Sequence, residues 1–536
     1  MSILCPRRGG LRLPLLAADQ LRAPTPSSSS HPRARLFSST PARLIIQKIV
    51  PSAAHAISQI RSGSTVLVGG FGFSGVPSTL ISAIAARGRE QLNGLIVVSN
   101  NAGMPGVGLG KLLETRQISK MIASFIGENK TFEKMYLEGE LDVELTPQGT
   151  IAEKCAAGAA GVPAFYTPAA YGTVVQRGEL PVRFGPDGAP ALMSQAKETR
   201  EFRGKKYVME ESIFGDVALV RVHKADRLGN CTFRTAQNNF NEVMAKNAAL
   251  TIVEADEIVD VGELAPEHVH VQGIYVDAVV QSTEPKRIEK LTLAKSAEDV
   301  VKQAAAGSGS SSSGGAAERR ERIVRRASKE LKDGMYVNLG IGIPLATPAL
   351  VPEGIEVVLQ SENGILGMGR YPRTADEADP DLINPGKETV TLNPGASVFG
   401  SHESFGMIRA GRISLTMLGA LQVSMRGDLA NFMLPGKVKG IGGAMDLVAS
   451  PEKTMVVVTM EHVDKKGNPK ILRECTFPLT GQRCVSKIIT DIAVFDCDPV
   501  DGLVLRELHE DTTMEQLEKM TQAPFKVADD FKTYQI

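Results

Sequence analysis

The chain has 536 residues, which at about 150 residues per domain corresponds to three or four domains, or to two large α/β ones. Sixty Lys plus Arg balance sixty Asp plus Glu, so no net field draws the protein to nucleic acid or anionic membrane, and no run approaches the roughly 18–20 apolar residues of a spanning helix. Gly reaches 52 residues while Trp is absent and aromatics are only 5%, a composition that suits an α/β enzyme with many tight turns better than a stacking surface.

Residues 1–43 carry Arg7, Arg8, Arg12, Arg22, Arg33, Arg35 and Arg43 against one acid, Asp19, with serines from Ser27 to Ser30 and at Ser38 and Ser39. That is transit-peptide composition and predicts import into the mitochondrial matrix, with cleavage near Arg35 to Ser39. Prolines and arginines interrupt every apolar run, which argues against a secretory signal. A disordered tail without an address is the alternative.

Beyond the leader, Ser62-Gly63 leads into the strand Thr65 to Val68 and then GGFGFSGVP. Gly70, Gly72 and Gly75 satisfy G-x-G-x-x-G between a strand and a helix, which alone suggests a dinucleotide site. Such a site wants a carboxylate after the next strand, Gly94 to Val98, and that strand ends instead in Ser99-Asn100-Asn101. A structural turn, or a turn that lets another ligand approach backbone amides, therefore competes with the nucleotide reading. Pro77 suits the first turn of a helix with Leu80, Ile81 and Ile84 on one face, Arg87 in its last turn and Gly88 beyond.

Ala304 to Ala317 reads AAAGSGSSSSGGAA, a flexible connector that cannot build a core. After it the landmarks recur. Asp333-Gly334 leads into Met335-Tyr336-Val337 and NLGIGIP, the run Ile355 to Leu359 is followed by Gln360-Ser361-Glu362-Asn363-Gly364, and D-x-x-G-N occurs at Asp226 to Asn230 and again at Asp464 to Asn468. Two related α/β domains in tandem are expected, each on a mainly parallel sheet with flanking helices. The boundaries are a leader at 1–43, a first domain at 44–303, a linker at 304–322 and a second domain at 323–536. Pro348 would interrupt the helix that matches the one after Pro77, so that helix is expected to start later. Tyr371 to Gly386, rich in Pro and Asp, is expected to be a mobile surface loop with room for a lid role.

Cys5, Cys155, Cys231, Cys475, Cys484 and Cys497 show no metal-ligand spacing, and none of the eight histidines sits in a hydrolase-like arrangement, so no metal and no histidine base is expected. Glu362 follows an apolar strand on its carboxyl-end turn, the edge where open α/β sheets hold ligands; a solvated surface charge is the alternative. Gly440, Gly442 and Gly443 in KGIGGAMDL offer backbone N–H groups for an oxyanion if they approach Glu362, or else form an ordinary turn. A carboxylate with oxyanion donors and no other base suits direct attack on a thioester, giving an acyl-glutamyl anhydride that the expelled thiolate then attacks.

At these motifs the chain resembles the family I coenzyme A transferases. LQSENG at Leu359 to Gly364 resembles the family's active-site signature and GGFGFSGVP its amino-terminal glycine signature, and VSNNAG (Val98 to Gly103), TPQGTIAEK (Thr146 to Lys154), GVPAFYTP (Gly161 to Pro168), INPGKETVT (Ile383 to Thr391) and KGIGGAMDLV (Lys439 to Val448) extend the resemblance from about Leu44 to the end. The halves resemble a fusion of what are separate α and β subunits in bacterial relatives. The resemblance implies that Glu362 is the nucleophile, that Gln148, Gly442 and Gly443 bind the carboxylate or polarise the reacting carbonyl, and that Asn100, Asn101, Asn338 and Lys387 contact CoA. It further implies a ping-pong transfer of CoA from succinyl-CoA to acetoacetate in ketone-body breakdown, with CoA as co-substrate, no permanently bound cofactor, and a homodimer. A relative using acetate or water as acceptor, or a non-catalytic CoA sensor, are the competing functions.

Overall fold

A computed structural model describes residues 46–535 apart from 128, 307–313, 435, 436, 439 and 499. The leader, the serine-rich centre of the linker and the lysine of KGIGG lie outside the described residues. The flexible connector expected over 304–322 is shorter than that: Ala297–Ala306 and Gly314–Ser328 are helices. Alanines and the charged run that follows favour helix at both ends, and Val301 of the first helix is buried in one cluster with Val324 of the second.

In the first half, short β-branched runs such as TVLV and LIVV are buried and pair in parallel, as strands covered on both faces do. The order across the sheet is Ala278–Gln281, Ala248–Val259, Gly215–Asp226, Thr65–Val68, Leu95–Val98, Ile118–Ala123, Asp142–Leu145, with Cys231–Thr232 antiparallel on Gly215–Asp226. The chain runs outward from Thr65–Val68 and then returns to its other side at Gly215–Asp226. That reversal opens a crevice at the carboxyl ends of the strands, and the glycine turn fills it. Gly70, Gly72 and Gly75 have φ of 123°, 55° and 72°, and a Cβ on Gly69 would lie 2.0 Å from Oδ1 of Asn241. The turn thus needs glycine both for its backbone and for its packing. Helix Ser78–Gln91 follows with Pro77 as its N-cap, and Gly88 at φ 69° breaks it where the sequence predicts its end.

The second sheet has ten strands. Val357–Ser361, Met335–Leu339, Leu415–Gly419, Met455–Thr459 and Lys487–Ile489 form a parallel centre, and antiparallel strands extend it on both sides. The helix expected to start late after Pro348 does not form. A four-residue α turn, Ile343–Ala346, passes into a 3-10 turn, Thr347–Leu350, with Pro348 near its start, because proline is tolerated only where its missing N–H is not needed. The two D-x-x-G-N segments adopt one geometry. Asp226 and Asp464 each accept from the backbone N–H four residues on, at 3.0 and 2.8 Å, and from that asparagine's side chain at 3.0 and 2.8 Å.

The halves share a core, since Phe432, Ile441 and Met445 of the second are buried in the main cluster of the first. The loop Tyr371 to Gly386, expected to be mobile, is pinned across this seam. Asp379 pairs with Arg234, and Asp381, fully buried, pairs with Arg234 at 3.4 Å and with Lys286 and accepts from Ser74 at 3.2 Å. Removing one partner of a buried pair leaves the other charge uncompensated, so Asp381→Ala is expected to destabilise the protein by about 2–4 kcal/mol in chemical denaturation. Glu377→Ala, which breaks an exposed pair with Arg370, should leave the transition where it is.

Candidate active site

Glu362 stands on a hairpin rather than at the start of a helix. Ser361 pairs with Ile365 across a three-residue turn, and Gly364, at φ 96°, donates its N–H to the Ser361 carbonyl at 3.0 Å. Three-residue hairpin loops of this kind place glycine at the positive φ position, and here a Cβ would also sit 1.8 Å from the Phe399 carbonyl oxygen. Asn363 fixes the turn from beneath: its Oδ1 accepts from Ser361 Oγ at 2.5 Å, and its Nδ2 donates to the Ile383 carbonyl at 2.8 Å. Glu362 is left 9% exposed, and no donor among the described residues reaches its carboxylate. Burial, reinforced by the neighbouring charge of Asp446, pushes its pKa up to about 8.

Gly443 lies against this carboxylate. A Cβ there would be 2.4 Å from Oε1 of Glu362, so only glycine lets the backbone come this near. Gly442 is not the free oxyanion donor the sequence suggests, because its N–H is given to the Ser124 carbonyl at 3.0 Å and its own carbonyl accepts from Gln148 N–H at 2.9 Å. The Gly443 N–H meets no acceptor among the described residues and is the one left to face a reacting oxygen. Gln148 opens the helix Gln148–Ala159; its side-chain Nε2 is buried without a partner, an arrangement that costs stability unless a ligand accepts from it.

The other expected residues connect to this cluster. Asn100 accepts from Ser124 Oγ at 2.8 Å, which joins it through Ser124 to Gly442. Asn101 forms a bridge with Phe125 and lines the narrow gap under the glycine turn beside Gly70 and Gly72. Lys387, at φ 66°, sits over Phe125 and pairs with Glu289 at 3.0 Å. Asn338 is fully buried behind the hairpin, donating to Gln360 Oε1 at 2.6 Å with its own Oδ1 unpartnered. Thus Glu362, Gly443, Gly442, Gln148 and Asn100 form one linked cluster, Asn101 and Lys387 flank Phe125 next to it, and Asn338 supports it from behind.

Several residues are visible only in three dimensions. Asp446 is fully buried, accepts from Gly149 N–H at 2.9 Å and faces Arg409 at 3.5 Å; burial pushes its pKa up to about 6 against the pull of Arg409. Its sequence signal is a lone acid in the apolar stretch GAMDLV, since acids are seldom buried unless paired. Asn239 accepts from Gly70 N–H at 3.2 Å while its carbonyl accepts from Ser401 N–H at 2.8 Å, tying the glycine turn to the second half; nothing local marks it. A cleft of about 590 Å³ lies elsewhere, at the amino ends of the first sheet's strands around Arg89, Arg116 and Glu140, away from all of these groups.

Residues 50–282 and 320–519 match the family described as Coenzyme A transferase. The chain is 50% identical over 505 residues, 94% of each chain, to the human mitochondrial succinyl-CoA:3-ketoacid coenzyme A transferase 2. Its first half is 47% identical over 249 residues to one of the two chains of the probable succinyl-CoA:3-ketoacid coenzyme A transferase of Mycobacterium bovis, covering 46% of this chain and 99% of that one. Its second half is 54% identical over 210 residues to the complementary chain of the probable enzyme of the same name in Bacillus subtilis, covering 39% of this chain and 95% of that one. The backbone matches an acyl-CoA transferase of Escherichia coli O157:H7 with a TM-score of 0.71 over 92% of this chain and 96% of that one, at 19% identity, a likeness of fold. With its two related halves, each aligned to one chain of a two-chain relative, the protein belongs to the coenzyme A transferase family.

Proposed function

We propose that the chain transfers CoA from succinyl-CoA to a 3-oxo acid, acetoacetate, with Glu362 as the covalent intermediary. The observation that carries this reading is a carboxylate buried at a strand end without a hydrogen-bond donor, against the free N–H of Gly443 and the unpartnered amide of Gln148. The substrate pair follows from the relatives' names and from the motifs they share with this chain.

The steps balance without a further reagent. The Glu362 carboxylate attacks the succinyl-CoA thioester carbonyl and expels the CoA thiolate, forming a succinyl-glutamyl anhydride. The thiolate attacks the glutamyl carbonyl and releases succinate, leaving a glutamyl-CoA thioester. Acetoacetate then attacks that thioester through its carboxylate, and the thiolate released again takes the acetoacetyl group, regenerating Glu362. Each attack places negative charge on a carbonyl oxygen, and the Gly443 N–H and the Gln148 amide are the groups that receive it. A donor of this kind supplies about 3–4 kcal/mol to a transition state. Desolvation makes the ionised Glu362 a stronger base than an ordinary glutamate and hence a better nucleophile. Asn100, Asn101, Asn338 and Lys387 belong in this reading to the CoA path, with CoA a co-substrate and no cofactor held permanently. The leader 1–43 directs the chain to the mitochondrial matrix, and two copies form the working enzyme, which light scattering at dimer mass would support and monomer mass would refute.

Borohydride should trap a Glu362 adduct after incubation with succinyl-CoA, and label should exchange between succinate and succinyl-CoA without acceptor. Glu362→Ala should lose both, with transfer down by about 10³-fold or more; retained activity would defeat the assignment, and exchange that never occurs would favour a binding protein. Gly443→Ala should cost about 10²- to 10³-fold in kcat, with the substrate KM far less affected. Because the nucleophile is the ionised form and its pKa is raised to about 8, kcat/KM for succinyl-CoA should climb with pH and level off above about 8, as that parameter follows groups of the free enzyme. A plateau already reached at pH 5 would contradict a desolvated Glu362.

A further inference from the structure

Asp446 is placed where its burial has to be explained. It lies one turn beyond Gly443, with its N–H donating to the Gly443 carbonyl at 3.0 Å. Its carboxylate crosses to the other half and accepts from the Gly149 N–H at 2.9 Å. Gly149 allows this approach, since a Cβ there would lie 2.5 Å from Asp446 Oδ1 and 2.6 Å from Phe405. The same N-terminal turn begins with Gln148, whose backbone is bonded to Gly442. A carboxylate at the positive end of that helix is favourable, but taking it wholly out of water costs several kcal/mol unless its other oxygen is met.

Arg409 meets it at 3.5 Å and also donates to the Gly149 carbonyl at 3.4 Å and to Glu153 on the same helix. Arg409 comes from the helix Ser401–Arg409 of the second half. The groups that face Asp446 are therefore Glu362, Arg409 and, through Arg409, Glu153. The first half's helix is gripped at its backbone N–H, its backbone carbonyl and a side chain, all within the turn that presents Gln148. An apolar contact would hold the halves together as well; a charge network here fixes the axial and rotational setting of that turn.

We infer that Asp446 is a positioning residue for acyl transfer: with Arg409 it locks the Gln148 amide and the Gly443 backbone on either side of Glu362, and its charge faces the nucleophile. This rests on the assignment of Glu362 as nucleophile. The locking interaction uses hydrogen bonds and an ion pair, so Asp446→Asn retains the acceptor for Gly149 but loses the charge.

The test is the pH dependence of the trapped Glu362 adduct and of kcat/KM for succinyl-CoA in the full-length protein carrying Asp446→Asn, checked by circular dichroism. The plateau kcat should fall about 10- to 100-fold, as small misplacements of reacting groups do. Removing a like charge should also move the rising limb to lower pH by about one unit. Arg409→Gln, which leaves Asp446 uncompensated, should move it upward, and it serves equally where Asp446→Asn does not fold. A loss of plateau activity with the limb unmoved would assign Asp446 to folding alone and overturn the inference, as would wild-type kinetics in either variant. Absence of an adduct in the wild type would remove the Glu362 assignment itself, and this inference with it; an adduct in the wild type with unshifted variants removes only the latter.

Discussion

A carboxylate held out of water with nothing donating to it is the constraint that organises this molecule. Left to itself, Glu362 would rotate into solvent or draw a lysine or arginine, since a desolvated charge without a partner is among the costliest features a fold can carry. It does neither because the turn that bears it is bonded on every side: Gly364 closes it, Asn363 ties it to the segment at Ile383, and Ser404 Oγ donates to the Ser361 carbonyl at 2.9 Å. The cations in its vicinity are already engaged, Arg409 with Asp446 and Glu153, and Lys387 with Glu289. Charge pairing around the site thus protects the nucleophile's isolation as much as it joins the halves.

Glycine is the second half of that arrangement. At Gly443 and Gly149 the missing Cβ makes room for a carboxylate, Glu362 in one case and Asp446 in the other. At Gly69 it makes room for an asparagine amide. Each is a place where backbone from one segment must come within hydrogen-bond range of a polar group from a distant one, and a side chain would hold the two apart. The high glycine content of the chain is therefore not loop material alone; part of it is the cost of building a polar site from main-chain groups in a packed seam.

This explains how far the sequence could be read. The strands, the glycine turn, the helix broken at Gly88 and the paired D-x-x-G-N segments are local patterns in which neighbours dictate conformation, and they were legible. The place of Glu362 at a strand's end was legible for the same reason. Its hairpin was not, because whether Val357–Ser361 feeds a helix or a returning strand depends on the register with Ile365 to Met368, to which the run Ile355 to Leu359 gives no clue. The segment Tyr371 to Gly386 reads as a mobile loop by composition, yet Asp379 and Asp381 meet Arg234 and Lys286, partners in the other half that no local pattern announces. The spent N–H of Gly442 and the burial of Asp446 are likewise set by Ser124 and Gly149 across the seam.

The connector follows from the same logic. The helices on its two sides already pack together through Val301 and Val324, alongside Ala346, so the serine-rich residues between them need only join ends that the fold brings close. A linker in that position raises the effective concentration of one half for the other without adding a contact. The residues that make up the candidate site, from Asn100 and Gln148 in one half to Glu362, Lys387 and Gly443 in the other, all lie outside it. Relatives with the two halves as separate chains align with each half in turn, which is what a site assembled entirely from seam contacts allows: fusion changes the entropy of meeting, while the charge pairs and glycine approaches determine the geometry once the halves have met.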